Sequence, residues 1–375
     1  PDPPRPQGRP RLRVGYLGSD FYAHPVGLNL LPLLENHDHT RCEIFCYAQV
    51  VRRDDITARF QAAADHWLTV NALDDAQLAQ RIRADAIEVM VYLAGRYDAN
   101  RPLVAAFRPA PVQVSFHDTG TSGLPEMDYL FTDRIITPPD SPEILTETPW
   151  RLPVYYNFPP LAGAPPVAPA ARDRPFTFGC FNNPAKLNRR VIALWARILQ
   201  VLPESELVLK YQAMLGPATD AGRRILADFA ASGIDPQRVV LLDHALPRDA
   251  HLAQYARMDL ALDPLPYNGA TTTFQALWMG VPTLTLAGQA FVGRMAAGIL
   301  VPVGLEEFVV DSAEDYVARA VAWAGRREEL AELRRTLRNR VADSPLCHPI
   351  AYARNVEQAY RAMVAQQGRA SRNTN

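Results

Sequence analysis

Ile87-Glu-Val-Met-Val-Tyr-Leu93 is apolar at every position except Glu88. A strand with no polar face has no side to turn to water, so it belongs inside a parallel sheet covered by helices on both faces. That requirement restricts the chain to an α/β layer architecture. The flanking sequence fits it. Arg11-Leu-Arg-Val-Gly-Tyr-Leu17, 43–47, 112–116 and 129–131 carry the branched or aromatic content of strands, and 26–34 and 76–84 carry the spacing of helices.

Between Pro153 and Pro175 the pattern stops. Pro159-Pro160, Pro165-Pro166 and many alanines make this stretch a linker. The alternation then restarts, with strands expected at 177–181, 207–209, 239–242, 260–262 and 283–286. Helices are expected at 190–201, 221–231, 250–256, 272–279, 313–323, 328–341 and 350–363. The organisation predicted is a linker over 1–10, a Rossmann-like lobe over 11–155, a second linker over 156–175 and a second Rossmann-like lobe over 176–345. A helix over 346–366 packs back on the first lobe, and a disordered tail covers 367–375. The length of 375 residues suits two cores. Two such lobes facing a cleft suggest the GT-B architecture.

Bulk properties exclude several classes. A net charge of −1 gives no electrostatic footprint for nucleic acid or an anionic membrane. No apolar run is long enough to span a bilayer. Cys42 and Cys46 are close, but no second pair completes a zinc site with them. Reduced thiols in a cytoplasmic protein are the expectation.

The segment Asp263-Pro-Leu-Pro-Tyr-Asn268-Gly269-Ala270-Thr271-Thr272-Thr273-Phe-Gln275 carries the strongest chemical signal. A buried strand ends at Asp263, a Pro/Gly loop follows, and three threonines open a helix. A helix start offers free N–H groups and a positive dipole end, and Thr hydroxyls add donors. Gly269 lets a ligand approach the backbone. An ordinary Thr N-cap would need one threonine; three β-branched residues in a helix start are unfavourable and point to anion binding.

Phe178-Gly-Cys-Phe-Asn182-Asn183-Pro-Ala-Lys186 is a strand running into a polar turn with one cation. Lys186 suits phosphate as a mobile point charge, a solvated loop lysine being the other reading. Gly18-Ser-Asp20-Phe-Tyr-Ala-His24 follows the first strand, so His24 is placed at the carboxyl end of the first lobe's sheet as a proton-transfer candidate or a helix cap. In Pro247-Arg248-Asp-Ala-His251, His251 is a candidate to stack on a base or a plain surface residue. No Asp-x-Asp follows a strand, so no carboxylate-bound metal is indicated.

Taken together these stretches resemble the catalytic region of the O-GlcNAc transferase / SPINDLY family of protein glycosyltransferases, which have a GT-B fold. The resemblance also runs through Phe107-Arg-Pro-Ala-Pro-Val-Gln-Val, Gly120-Thr121-Ser122-Gly123, Met127-Asp-Tyr-x-x-x-Asp133, Leu277-Trp-Met-Gly-Val-Pro282 and Ser344-Pro-Leu, covering about 11 to 366. It implies metal-independent, inverting transfer of a sugar from a nucleotide sugar to Ser or Thr of proteins, releasing UDP or GDP, with no cofactor beyond that co-substrate. By it, Lys186 and Thr271–Thr272 contact the donor diphosphate, with Asn183, Asn268, Gly269, Thr273 and Gln275 around it. His251 lies by the base with Arg248 beside it. His24 sits beside the acceptor hydroxyl, as base or as orienting group, and 120–123 border the acceptor and sugar pocket. Family members also carry TPR repeats N-terminal to this region, which are expected to precede this segment.

Four positions depart from the common family pattern: Ala270, Gln275, Tyr92-Leu-Ala-Gly-Arg96 and Phe116-His-Asp-Thr119. At the first two the SPINDLY branch, which includes GDP-fucose-dependent enzymes, also departs from that pattern. UDP-GlcNAc is the expected donor, GDP-fucose the alternative. A degenerate module that binds nucleotide sugar or protein without turnover, and a GT-B enzyme acting on a small molecule or glycan, are the readings of other classes.

Overall fold

The computed structural model describes residues 10–212 and 214–370. Residues 1–9 of the expected first linker and 371–375 of the expected tail lie outside the described residues. The chain divides into two compact units, passing from the first to the second at Pro159–Pro160 and returning to the first at Cys347.

The first unit is built on seven strands: β1 (Leu12–Gly18), β2 (Cys42–Ala48), β3 (His66–Thr69), β4 (Val89–Leu93), β5 (Val112–Phe116), β6 (Tyr129–Asp133) and β7 (Thr148–Leu152). All pair in parallel in the order β3-β2-β1-β4-β5-β6-β7. Every residue of β4 is buried, as its unbroken apolar run requires. In register, Val14 lies between Ile44 and Val89. Strand order reverses between β1 and β4, so the loops after these two strands open beside each other at one edge of the sheet, where α/β folds bind ligands.

Three elements of this unit are absent from the expected pattern. The helix Asp55–Ala63 is polar and weakly patterned; an Asp54–Thr57 capping box fixes its start. β3 is short and half-exposed. β7 contains Pro149, which argues against a central strand but is tolerated here because β7 pairs only with β6, at the sheet's edge.

The C-terminal helix Pro349–Ala370 belongs to this unit. The Tyr352 hydroxyl donates to Tyr155 O at 2.6 Å, and Tyr360 and Tyr16 share a buried hydroxyl contact of 3.0 Å. Helix occupies 367–370, the first residues of the expected tail. Gln366, Gln367 and Ala370 are helix formers, and the lone Gly368 does not stop the run.

The second unit has six parallel strands: β8 (Thr177–Cys180), β9 (Glu206–Lys210), β10 (Val239–Leu242), β11 (Leu260–Leu262), β12 (Thr283–Leu286) and β13 (Val309–Val310), in the order β10-β9-β8-β11-β12-β13. Its order reverses between β8 and β11. The turn after β8 holds Lys186, and the loop after β11 leads into the helix Thr271–Trp278. The α/β class with two parallel sheets is thus the one the sequence predicts. Among the described residues no helix is long and apolar enough to cross a membrane.

Candidate active site

The loop after β11 is held from below by Asp263, which is fully buried. Its Oδ1 accepts the Gly269 N–H at 2.7 Å and its Oδ2 the Thr285 hydroxyl at 2.7 Å. Burial raises this carboxyl above the ordinary carboxylate range, while the Gly269 N–H, the Thr285 hydroxyl and Lys186 pull it back. Both oxygens are occupied by the fold, so Asp263 shapes the loop. Asn268 is buried, accepted into the loop by its own side-chain bond to Pro264 O at 3.0 Å.

The helix Thr271–Trp278 starts without a side-chain cap, Ala270 standing at the N-cap position. Its first N–H groups are therefore not taken by a capping side chain. The Thr272 hydroxyl donates to Asn182 Oδ1 at 2.9 Å, and the buried Thr273 hydroxyl donates back to Gly269 O at 3.1 Å. Thr271 opens the helix half-exposed. A Cβ on Gly269 would lie 2.5 Å from Thr272 Oγ1 and 3.0 Å from both Asn182 Oδ1 and Thr273 Oγ1, which is why this position has no side chain.

Lys186 closes the other side. Its Nζ donates to Asn268 O at 2.7 Å and lies 4.0 Å over the Tyr267 ring. It is no free surface lysine: burial lowers its pKa, against the opposing attraction of Asp263 and Cys180. An ammonium has three donors, and one is used here. The turn carrying it is set by Asn183, whose Oδ1 accepts the Ala185 N–H at 2.9 Å. Asn182, unassigned in the sequence reading, is the residue that ties this turn to Thr272; it lay inside the quoted motif but its partner is distant in sequence.

Arg248 and His251 lie on the helix Arg248–Ala253 after β10. Arg248 donates to Ala162 O at 3.2 Å. His251 is half-buried rather than a plain surface residue. Its ring packs near Phe181 and Tyr255, with centroids 5.8 and 5.9 Å away. Its Nδ1 lies 3.1 Å from Lys210 Nζ; burial and the Lys210 charge lower its pKa, with Gln275 opposing. The Tyr255 hydroxyl donates to Gln275 Oε1 at 3.4 Å. The second unit therefore gathers Lys186, Asn183, Asn268, Gly269, the three threonines, Gln275, His251 and Arg248 at the carboxyl edge of its sheet.

The remaining expected residues belong to the first unit. His24 is the N-cap of the helix Pro25–Glu35, with Nδ1 accepting the Val26 N–H at 3.4 Å and lying 3.1 Å from Asp20 Oδ1. Nε2 is 3.6 Å from Asp98 Oδ2. Nδ1 is thus turned toward Asp20 and its own helix start, and Nε2 toward Asp98. The buried Asp20 also accepts from Asn100 Nδ2 at 2.9 Å. Gly120, Thr121, Ser122 and Gly123 form a loop braced by the buried Glu147, which accepts the Thr121 hydroxyl at 2.7 Å and the Ser122 N–H at 2.6 Å. Arg96 donates to Ser122 O at 2.7 Å, and Gly95 packs against Asp118, where the Tyr92–Arg96 and Phe116–Thr119 departures meet. Gly95 needs no side chain there: its φ is +53° and a Cβ would sit 1.9 Å from Asp118 Oδ2. Asp98, Glu147 and Lys210 carried no sequence motif.

Comparison with known proteins adds the following. The chain matches glycosyl transferase family 41 over residues 4–152 and 171–356. It is 36% identical over 360 residues to a protein of Solanum lycopersicum named as a probable UDP-N-acetylglucosamine–peptide N-acetylglucosaminyltransferase SPINDLY, covering 94% of this chain and 38% of that protein. Against the Arabidopsis thaliana protein of the same name it is 35% identical over 370 residues, covering 96% and 40%. The chain thus spans about two-fifths of the length of these relatives. A solved structure of a mutant Thermobaculum terrenum O-GlcNAc transferase superposes with a TM-score of 0.90 at 36% identity, covering 99% of this chain and 71% of that one. The lipopolysaccharide outer core galactosyltransferase WaaB, at 12% identity and a TM-score of 0.56 over 94% of this chain and 99% of its own, shares the fold alone.

Proposed function

The chain belongs to glycosyl transferase family 41, and on that premise we propose that it is an inverting protein O-glycosyltransferase taking GlcNAc from UDP-GlcNAc to Ser or Thr hydroxyls. The observation that carries this reading is the pairing of Lys186, bonded to Asn268 O, with the uncapped start of the Thr271 helix. A half-buried cation, hydroxyls and a helix dipole meeting at one loop suit a diphosphate leaving group. Asp263 is engaged by Gly269 and Thr285, and in this reading Lys186 and the helix start neutralise the diphosphate.

In the reaction the acceptor oxygen attacks the anomeric carbon, the bond from that carbon to the diphosphate oxygen breaks, and the electron pair leaves on UDP. His24, at the start of its helix, orients the acceptor hydroxyl, whose proton passes to the imidazole or to the departing phosphate. His251 and Arg248 take the base, and Gly120–Gly123 border the sugar and acceptor. The four cysteines are free and buried, the state a reducing compartment maintains, which supports a cytoplasmic placement.

The test combines a thermal-shift panel of UDP, GDP, UDP-GlcNAc and GDP-fucose with transfer of labelled sugar to protein acceptors. UDP and UDP-GlcNAc are expected to raise the melting temperature, and label is expected on protein. A shift confined to GDP and GDP-fucose would instead assign an O-fucosyltransferase, the reading that Ala270 and Gln275 support. Binding without transfer or hydrolysis would make the chain a binding module, and label on small acceptors alone would make it a glycan or small-molecule transferase.

A further inference from the structure

Lys210 ends β9 at the carboxyl edge of the second sheet and is 1% exposed. A buried ammonium ordinarily has a carboxylate partner, because desolvating an isolated charge is costly. Among the described residues Lys210 makes no ion pair; its Nζ meets the imidazole Nδ1 of His251 at 3.1 Å. An ammonium has no lone pair to accept with, so it donates and Nδ1 accepts. That fixes the ring's tautomer with its proton on Nε2. Gln275, beside the ring, has its Oε1 engaged by the Tyr255 hydroxyl at 3.4 Å. The groups facing the ring from the elements around it are Lys210 from β9, Phe181 from the turn after β8, Tyr255 from the next turn of its own chain, and Gln275 from the Thr271 helix. None is a carboxylate.

We propose that Lys210 is a positioning residue of the donor pocket, holding His251 neutral and in one orientation so that the ring can receive the nucleobase. The inference rests on the reading of His251 as the base contact. Burial and the neighbouring Lys210 charge both lower the His251 pKa, in keeping with a ring that stays neutral. The device is built from residue types that work together. An acid at 275 would draw a proton onto His251 and compete for Lys210, whereas a neutral Gln275 leaves the ammonium as the one charge on the ring.

The experiment measures UDP affinity for the whole chain, as wild type, Lys210→Met, Lys210→Arg and His251→Ala, between about pH 5.5 and 8.5, as the ratio of variant to wild-type Kd. The ratio cancels titration of the phosphate and of Lys186. Lys210→Met is expected to weaken UDP by about tenfold near pH 8, the loss of one charge-assisted hydrogen bond. The ratio should then change as pH falls below about 6.5, where an unguarded imidazole takes up a proton. Lys210→Arg should restore a flat ratio. A pH-independent ratio, or an Arg variant no better than Met, would reduce Lys210 to a packing role and overturn the proposal. If His251→Ala binds UDP like wild type, the base-contact reading fails first; if it weakens binding while Lys210→Met does not, this proposal alone fails. Should the Met variant not fold, nitrogen shifts of labelled histidines in the wild type still decide: an Nδ1–H tautomer at His251 would overturn it.

Discussion

At the scale of single residues, Lys186 is held in tension between burial and use. Burial lowers its pKa below the ordinary 10.5, and a bound diphosphate supplies the negative charge that raises it again. UDP binding at alkaline pH is therefore expected to take up a proton, and affinity to fall as pH rises toward 10. Calorimetry in buffers of different ionisation enthalpy measures that uptake; Lys186→Arg, which stays charged, should flatten it. Lys186→Ala should cost about a hundredfold or more in transfer rate while leaving the melting temperature within a few degrees, since the side chain it removes is a desolvated cation.

Asp118 shows the same conflict without a ligand to resolve it. It is buried against Gly95, and burial pushes its carboxyl up to about 6 from the ordinary 3.8, with the Thr119 N–H opposing. The folded chain holds this proton more tightly than the unfolded chain, so the contribution to stability is present below about pH 4 and lost as pH rises through 6. Asp118→Asn keeps an acceptor for Thr119 and abolishes that loss. The variant should match wild type near pH 4 and exceed it by about 3 kcal/mol near pH 7.5, as read from denaturant unfolding at both pH values.

At the scale of elements, the phosphate site is a loop and a helix start kept apart by the absence of one carbon. Gly269→Ala sets a methyl against Thr272 Oγ1, Thr273 Oγ1 and Asn182 Oδ1. The side chains can yield by rotating, but the Thr272–Asn182 bond then opens. The expected result is a stability loss of about 1–2 kcal/mol and UDP binding weaker by about tenfold, seen by unfolding and calorimetry on one preparation. This part of the site was legible in the sequence because its information is local: a strand end, a glycine and three threonines are neighbours in the chain. The strands Val112–Phe116, Val239–Leu242, Leu260–Leu262 and Thr283–Leu286 were legible for the same reason, their apolar or alternating patterns being self-contained. What local pattern did not carry was partnership across the sheet. Lys210 reads as the polar end of a strand until His251, 41 residues later, is brought against it. Glu147 gives no sign that it braces Thr121 and Ser122 from just before the edge strand. β7 itself was obscured by Pro149, which only its edge position excuses.

At the scale of the whole molecule, the order of the chain and the order of the units differ. The first unit is completed by residues that follow the second: Tyr352, Glu357 and Tyr360 reach its core from the C-terminal helix. Glu357 accepts from the Asp38 N–H at 2.8 Å and meets His37 Nδ1 at 3.0 Å, and His37 Nε2 meets the Tyr16 hydroxyl at 2.8 Å. All four side chains of this line, Glu357, His37, Tyr16 and Tyr360, are buried. Without the helix, His37 and Tyr16 would keep their desolvation and lose their partners, at about 1–3 kcal/mol for each unsatisfied group, besides the lost apolar cover of Val356 and Met363. A fragment of residues 1–159 is therefore expected to be aggregation-prone and to lack a cooperative melt. The same fragment mixed with a peptide of residues 347–375 should recover one, because the missing groups arrive on a single amphipathic helix. Glu357→Ala in the whole chain should lower the melting temperature of the first unit while leaving UDP binding, which draws on the second unit, within about twofold of wild type. A cooperative melt from residues 1–159 alone would show instead that the seven-stranded sheet closes its own core, and that the helix is an addition to it.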